Sequence, residues 1–168
     1  MKMKSRPRKS RPQMEENSVG VSTYNVPGYV RFIICPTAEG MQPEVEALWE
    51  LTNAELAKLS SVKLLQLCFY KWAFILKYIK KTGILPEDGT HKTCALCKAY
   101  SNNFAVGSNC EICPIGRTTG KGACFGTPYY DYHYAASCRS NEIALIACKE
   151  EVKFLKHLIG LAKLGVIE

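Results

Sequence analysis

A chain of 168 residues with 47% hydrophobic and 22% charged residues has the length and composition of one globular domain, which excludes a protein that is disordered throughout. Six lysines and arginines within the first eleven residues account for all but one unit of the net charge of +7, so the rest of the chain is nearly neutral. The most apolar run, residues 64–79, contains Gln66, Lys71 and Lys77 and falls short of the roughly 20 apolar residues of a membrane span, so no membrane partner is expected.

The chain begins with a basic arm, residues 1–18, which is rich in Lys, Arg, Ser and Pro and lacks aromatic residues. Such a segment buries too little apolar surface to fold by itself, and we predict that it is disordered. Cations of this arm would neutralise phosphates, and the candidate nucleic-acid-binding residues are Lys2, Lys4, Arg6, Arg8, Lys9 and Arg11. The alternative is a solvated tail that only aids solubility. No apolar signal segment follows the arm, so we expect a cytoplasmic protein with reduced thiols.

Residues 19–168 are predicted to form a single, mainly helical domain with little β structure. The clearest strand signal is the segment 29–35, which is rich in β-branched and aromatic residues. Prolines bound this segment on both sides, and no partner strand is evident in the sequence. We therefore predict one short extended segment in an otherwise helical fold.

Three helices are predicted before the cysteine-rich region. A proline followed by glutamates in a first turn predicts a short helix over 43–51. Thr52 and Glu55 have the spacing of a capping box, which predicts the start of a second short helix. A serine then caps the longest helix, 61–82, whose apolar face carries Trp72 as a core residue.

The cysteines between positions 94 and 124 form the most specific pattern in the sequence: CxxC, twelve residues, CxxC, ten residues and C. Two residues between cysteines let one tight turn aim both sulfurs at the same ion, as in zinc knuckles. The candidate metal ligands are Cys94, Cys97, Cys110, Cys113 and Cys124. A structural zinc ion takes four ligands, and the spacing favours the two CxxC pairs with Cys124 as the alternative. Which four of the five bind stays open.

An iron–sulfur cluster is the alternative cofactor, because thiolates also hold such clusters. The chain lacks the three closely spaced cysteines of bacterial ferredoxins and the plant-type spacing, which favours zinc. Cys35 and Cys68 lie in apolar stretches of sequence, where cysteine behaves as a small hydrophobic residue, and we predict that neither is a ligand. His91 is predicted to be an exposed loop histidine.

Four tyrosines crowd the segment 129–134 around Asp131 and His133. Their rings would suit stacking on unpaired bases, but tyrosine is equally common at the edge of a core. We predict that the rings pack over the metal loop and against the helices, with their hydroxyls reaching water. A zinc-bound water with His133 as a proton shuttle would make a hydrolase. The full set of four thiolates favours a closed structural ion instead, so enzymatic activity is not the favoured interpretation.

A second long helix is predicted from about Ser140 to about Leu158 or slightly beyond. Its apolar residues repeat at steps of three and four, at Leu145, Cys148, Val152, Leu155, Ile159 and Ala162. This narrow seam suits antiparallel packing against helix 61–82. The long helices would then enclose a cysteine-rich loop, residues 91–134, in which the metal replaces the core that an irregular loop lacks.

The order CALC, CEICPI and TGKGACFGTPY, between a Trp-bearing helix and a final amphipathic helix, resembles a group of small, uncharacterised cysteine-rich proteins of bacteriophages and bacteria. The resemblance covers roughly residues 64–160, and its most specific part is 110–129. It implies a shared metal-binding module and a phage or bacterial origin, with the host cytoplasm as the location of a phage-encoded protein. It implies no catalytic residue.

Together these patterns predict a zinc-stabilised binding module that contacts DNA or RNA through its basic arm, with Arg117, Tyr129 and Tyr130 as further contacts. The alternative is an interaction factor that engages a host protein through the zinc loop. A metal-dependent hydrolase and an iron–sulfur protein are less favoured. No phosphate-binding glycine loop, nucleophile elbow or carboxylate pair indicates a named reaction.

Overall fold

A four-stranded antiparallel sheet precedes a set of helices in the structure, a computed structural model that describes residues 12–16, 21–35, 41–100 and 110–167. The strands are β1 (Gln13–Glu16), β2 (Ser22–Val26), β3 (Val30–Cys35) and β4 (Glu44–Trp49). The α-helices are α1 (Asn53–Leu56), α2 (Ser61–Thr82), α3 (Ala95–Tyr100), α4 (Pro114–Thr119), α5 (Pro128–Ser137) and α6 (Asn141–Lys163). A short 3-10 helix, Thr90–Lys92, precedes α3. The fold is mainly helical, as predicted.

The sheet is a meander in which the strands lie side by side in chain order. Every second residue of β3 is fully buried, namely Val30, Phe32 and Ile34. This two-residue alternation turns one face of the sheet towards the helices. The ring of Tyr24 in β2 stacks on Phe74 of α2, with 5.8 Å between the ring centroids.

The prediction of a helix over 43–51 is wrong, because this segment forms β4. Val45 is buried between the exposed Glu44 and Glu46, which is the alternation of a strand. Pairing along the whole length of β3 outweighs the local helix-start signal. The partner strands that were not evident in the sequence lie on both sides of β3, so the domain contains more β structure than expected.

The predicted arm, residues 1–18, falls mostly outside the described residues. This includes all six candidate nucleic-acid-binding residues, Lys2, Lys4, Arg6, Arg8, Lys9 and Arg11. Within the arm, Gln13–Glu16 form β1, which pairs antiparallel with β2. The folded domain therefore begins before residue 19.

The caps of the first two helices confirm the predicted helix starts. The side chain of Thr52 accepts a hydrogen bond from the backbone N–H of Glu55, and the Glu55 carboxylate accepts one from the N–H of Thr52. Ser60 caps α2 by accepting a hydrogen bond from the N–H of Lys63 at 3.3 Å. α2 ends at Gly83, whose φ of 70° lies in the left-handed region that favours glycine.

The two long helices pack antiparallel, as predicted. Asn141 at the start of α6 donates to the carbonyl of Gly83 at the end of α2, at 3.0 Å. Further along α6, the Cys148 thiol lies 3.8 Å from the carbonyl of Trp72, near the middle of α2. α6 continues past Leu158 and ends at Lys163. Among the described helices, none is long and apolar enough to cross a membrane.

The buried stripe of α6 is broader than the predicted seam. Cys148 and Leu155 of that seam are fully buried, whereas Leu145, Val152, Ile159 and Ala162 are half-buried. The remaining buried positions are Ala144, Ala147, Glu151 and Leu158. α6 packs on both α2 and α5, and two neighbouring helices cover a wider face than one.

The cysteine-rich segment contains regular structure, and the prediction of a long irregular loop over 91–134 is wrong. The helices α3, α4 and α5 all lie in or overlap this segment. Each contributes a buried side chain to the core, namely Leu96, Ile115 and Tyr132. α3 and α4 have six residues each, too few for an apolar repeat to be visible between the cysteines.

The segment between α2 and α3 links the sheet to the helices through hydrogen bonds to β4. The N–H of Val45 in β4 donates to the carbonyl of Glu87, and the N–H of Glu87 donates to the carbonyl of Pro43, both at 2.7 Å. The indole N–H of Trp49 donates to the carbonyl of Lys92 at 3.1 Å. These bonds place β4 beside the segment that leads to the first CxxC pair.

Candidate metal centre and buried ion pair

Six cysteines gather where α2 meets the cysteine-rich segment: Cys68, Cys94, Cys97, Cys110, Cys113 and Cys124. The thiol of Cys94 interacts electrostatically with four of the others, and Cys110 interacts with Cys113 and Cys124. The Sγ atoms of Cys68 and Cys94 lie 3.8 Å apart. Five of these thiols are the predicted ligands, and Cys68 is a sixth thiol in the same region of the molecule.

Cys94 and Cys97 are held at the start of α3. Cys94 directly precedes the helix, and its carbonyl accepts a hydrogen bond from the N–H of Lys98 at 3.1 Å. Cys97 is the third residue of α3 and lies in its first turn. One helical turn separates the two residues of this CxxC pair, and their thiols interact with each other.

Cys110, Cys113 and Cys124 are positioned by α4 and the turns around it. Cys113 is the N-cap residue of α4. A side chain at Gly116 would collide with the carbonyl oxygen of Cys110, so glycine permits the close approach of these two backbone segments. Cys124 has a φ of 58°, and its carbonyl accepts a hydrogen bond from the Thr127 hydroxyl at 2.7 Å.

The thiols of this cluster differ in their proton affinity. Hydrogen bonds from Cys68 and Cys97, together with the charge of Lys71, hold the pKa of the Cys94 thiol well below its ordinary value. The hydrogen bond to Cys94 and burial raise the pKa of Cys68 well above its ordinary value. Burial likewise raises the pKa of Cys113 to about 11. Cys94 is thus the thiolate that its neighbours stabilise.

The donor set fits zinc or an iron–sulfur cluster, because it consists of thiols brought from separate elements of the fold. In the described ranges, no group of three or more His, Cys, Asp or Glu side chains already has the arrangement of a metal site. Metal binding would therefore require the protonated thiols to lose their protons and to turn onto the ion.

Cys68 is buried in the core, as predicted, and its thiol also contacts Cys94. No local spacing could reveal this contact, since the two residues lie 26 positions apart in the chain. Cys35 is half-buried in β3, consistent with the prediction for that residue. His91 is exposed in the 3-10 helix, as predicted.

A buried ion pair lies next to the cysteines. Lys71 is 1% exposed and Asp88 is fully buried. The ammonium of Lys71 lies 3.3 Å from Asp88 Oδ2 and 3.4 Å from the Thr93 hydroxyl. Burial alone would raise the pKa of Asp88, but the Lys71 charge holds it well below its ordinary value, so both groups stay charged. Lys71 is also within electrostatic range of Cys94 and Cys68.

His133 pairs with Asp88, while Asp131 is exposed. The Nε2 atom of His133 lies 3.6 Å from Asp88 Oδ1. The centroid of the His133 ring lies 4.8 Å from that of Tyr129. Asp88 and His133 line a cleft of about 290 Å³ together with Glu44 and Glu87. The sequence indicated His133 but not its contact with Asp88, because Asp88 lies in a turn 45 positions earlier.

Glu151 is a second buried carboxylate that the sequence did not reveal. It is 2% exposed, and its Oε2 accepts a hydrogen bond from the N–H of Tyr129 at 3.1 Å. Burial raises the pKa of Glu151 to about 7, although Lys71 and the Tyr129 hydrogen bond act in the opposite direction. Its place three residues after Cys148 and four before Leu155, on the buried stripe of α6, was the signal that could have indicated it.

The tyrosines of α5 divide between core and surface. Tyr129 and Tyr132 pack edge-on against Trp72, with ring centroids 5.9 Å and 5.0 Å from it. Tyr130 is 44% exposed and lies beside Phe125, which is 49% exposed, with 4.9 Å between their centroids. The packing prediction therefore holds for Tyr129 and Tyr132, whereas Tyr130 and Phe125 form an exposed aromatic pair.

Cations lie close to this aromatic pair. The ammonium of Lys121 lies beside Gly126, the residue that follows Phe125. A Cβ atom placed on Gly126 would be 3.2 Å from the Nζ atom of Lys121. Arg117 is exposed on α4, the helix that carries Cys113 at its start. Lys121 thus lies beside the aromatic pair, while Arg117 is a further exposed cation of the cysteine-rich segment.

Comparisons with protein-family models, with curated proteins and with solved structures find no match for this chain. The thiol cluster, the buried ion pair and the exposed aromatic pair are therefore the features from which a function can be inferred. Of these, the thiol cluster has the most specific chemistry, because few ligands other than thiophilic metals use several cysteines at once.

Proposed function

We propose that the protein is a zinc-stabilised binding module that contacts nucleic acid. The observation that carries the metal is the gathering of six thiols from separate elements, with Cys68 and Cys94 3.8 Å apart. Helices as short as α3 and α4 are unstable in isolation. A bound ion would supply the missing stability, because its binding free energy becomes folding free energy.

The exposed aromatic pair supports single-stranded DNA or RNA as the partner. Stacking of a base on an aromatic ring contributes about 1–3 kcal/mol, and every base offers a face for it. Phe125 and Tyr130 present such rings, with Lys121 beside them for the phosphates. The six cations of the arm would add attraction that does not depend on the base sequence.

Elemental analysis and an absorption spectrum of the purified protein test the metal. Bound zinc without visible absorption supports the proposal. Iron together with a broad visible absorption band would indicate the alternative cofactor, an iron–sulfur cluster. Protein that contains no metal and fails to bind added zinc would overturn the proposal.

Binding of a fluorescent single-stranded oligonucleotide at increasing salt tests the nucleic-acid contact. Removal of residues 1–11, which leaves β1 intact, should weaken binding and flatten the dependence of log K on log salt by about 0.7 for each phosphate that the arm neutralises. Tyr130→Ala should weaken binding with little change in that slope. Tyr134→Ala is the matched control, because Tyr134 is 68% exposed on the same helix but is not part of the aromatic pair.

A protein partner is the alternative, and exposed apolar residues beside the cysteines favour it. Ile112 and Phe125 are 47% and 49% exposed, on either side of α4 in the chain. Apolar side chains in such positions are typical of the centre of an interaction surface. An unchanged affinity and salt dependence after removal of residues 1–11, with no effect of Tyr130→Ala, would favour this alternative over nucleic acid.

A further inference from the structure

Cys68 lies on α2, outside the cysteine-rich segment, but its thiol points at that segment. The residue is 3% exposed, and its Sγ is 3.8 Å from the Sγ of Cys94. It also interacts electrostatically with Cys97, the second member of the same CxxC pair. One thiol of the helical core therefore contacts Cys94 and lies within electrostatic range of Cys97.

The separation of 3.8 Å excludes a disulfide, whose sulfurs lie about 2.05 Å apart, and both cysteines are free. Two thiolates on one tetrahedral zinc ion, each with a Zn–S bond of about 2.3 Å, lie about 3.8 Å apart. Cys68 and Cys94 thus already have the spacing of two ligands of one ion. A thiol–thiol hydrogen bond has a similar length, so a measurement must distinguish the two.

The charge around this thiol pair provides a second observation. Lys71, one helical turn after Cys68, is a buried cation whose charge acts on both Cys68 and Cys94. A zinc ion with four thiolates carries a net charge of about −2, which is costly to bury without a nearby cation. Lys71 also binds Asp88, so it connects the thiol cluster to the buried carboxylate.

We propose that Cys68 is a metal ligand that shares one ion with Cys94 and Cys97. The inference rests on the proposed metal-binding function and extends it from the cysteine-rich segment to the helical core. The ion would then join α2 to α3 directly. It would link the segment to one of the two long helices of the core as well as organise the segment itself.

Loading the full chain with ¹¹³Cd, which prefers thiolates as zinc does, tests the proposal without any substitution. Scalar couplings between the β protons of a cysteine and ¹¹³Cd identify its ligands by NMR. We expect couplings from Cys68, Cys94 and Cys97 to the same cadmium resonance. Couplings from Cys94 and Cys97 without Cys68 would overturn this inference alone. Cadmium coupled to none of the cysteines would overturn the proposed function itself.

Substitutions give a second test, by competition for zinc with a chelator. Cys68→Ser should lower the zinc affinity at least about tenfold, since even the loss of an outer contact of a ligand costs 10–100-fold. Cys148→Ser is the matched control, because Cys148 is equally buried on the neighbouring helix and donates to Trp72, and it should keep the affinity within about twofold. Cys97→Ser should lose affinity like Cys68→Ser. Equal affinities for the Cys68 and Cys148 variants, with loss only for Cys97→Ser, would show that Cys68 is merely a neighbour of the site.

Discussion

Asp88 is the partner that allows Lys71 to stay charged inside the protein. The amide in Asp88→Asn keeps the volume but removes the negative charge 3.3 Å from the ammonium. An unpaired buried charge is strongly destabilising, and we expect the free energy of unfolding in urea to fall by about 3–5 kcal/mol. Glu150→Gln removes an exposed partner of Lys153 and should change it by less than about 0.5 kcal/mol. Equal effects of the two substitutions would contradict the importance of the buried pair.

Glu151 should make stability depend on pH. Its pKa is about 7 in the folded protein against 4.5 for an ordinary glutamate, so the folded state binds more protons than the unfolded state between these values. The free energy of unfolding should therefore fall as the pH rises through this interval. Glu151→Gln removes the titration and keeps an acceptor for the N–H of Tyr129.

The measurement is urea unfolding of the wild type and of Glu151→Gln at pH values of about 5 and 8. From the lower to the higher pH, the free energy of unfolding of the wild type, relative to that of Glu151→Gln, should fall by on the order of 1–3 kcal/mol. Glu150→Gln, the same substitution at an exposed neighbouring position, should show the pH dependence of the wild type. An unchanged pH dependence in Glu151→Gln would mean that the buried carboxylate does not titrate in this range.

At the scale of the elements, α4 and the residues of the second CxxC pair close on each other only because position 116 has no side chain. The added methyl of Gly116→Ala would meet the carbonyl oxygen of Cys110. We expect a loss of about 1–3 kcal/mol in the free energy of unfolding, together with weaker zinc binding. Gly160→Ala is the control, since open space surrounds that position in α6, and it should stabilise the protein by about 0.5–1 kcal/mol. Normal zinc affinity in Gly116→Ala would contradict this role.

Metal removal should act on particular helices. Under the proposed function, a chelator or Cys97→Ser would remove the ion that links α3 and α4, two helices of six residues each. Hydrogen exchange should become fast in residues 95–100 and 114–119, while the amides of β3, paired on both sides, stay protected. Slow exchange in α3 and α4 after metal removal would show that packing alone stabilises them.

The features that the sequence predicted correctly depend on residues that are close together in the chain. The capping box of Thr52 and Glu55, the Ser60 cap and the end of α2 at Gly83 could be read from neighbouring residues, and so could the five clustered cysteines. β4 was mistaken for a helix because its pattern becomes decisive only when β3 lies beside it. Cys68, Asp88 and Glu151 were missed for the same reason, since their partners come from distant parts of the chain.

On the scale of the whole molecule, the described part of the sheet begins with β1 at Gln13. Removal of residues 1–11 should leave the thermal midpoint nearly unchanged, because none of the strands begins before Gln13 in the part of the chain that the structure describes. Removal of residues 1–16 also deletes β1 and exposes the hydrogen-bonding edge of β2. We expect a lower thermal midpoint and aggregation on heating for this longer deletion. Equal midpoints for the two deletions would show that β1 contributes nothing to stability.

The two long helices meet across a separation of 58 residues, from Gly83 to Asn141. During translation, at about 5–20 residues per second, α2 leaves the ribosome several seconds before α6. Throughout that interval the face of α2 that carries Trp72 lacks the helix that later covers it. The nascent chain therefore presents a ready binding surface to chaperones, and the arrival of α6 ends that exposure.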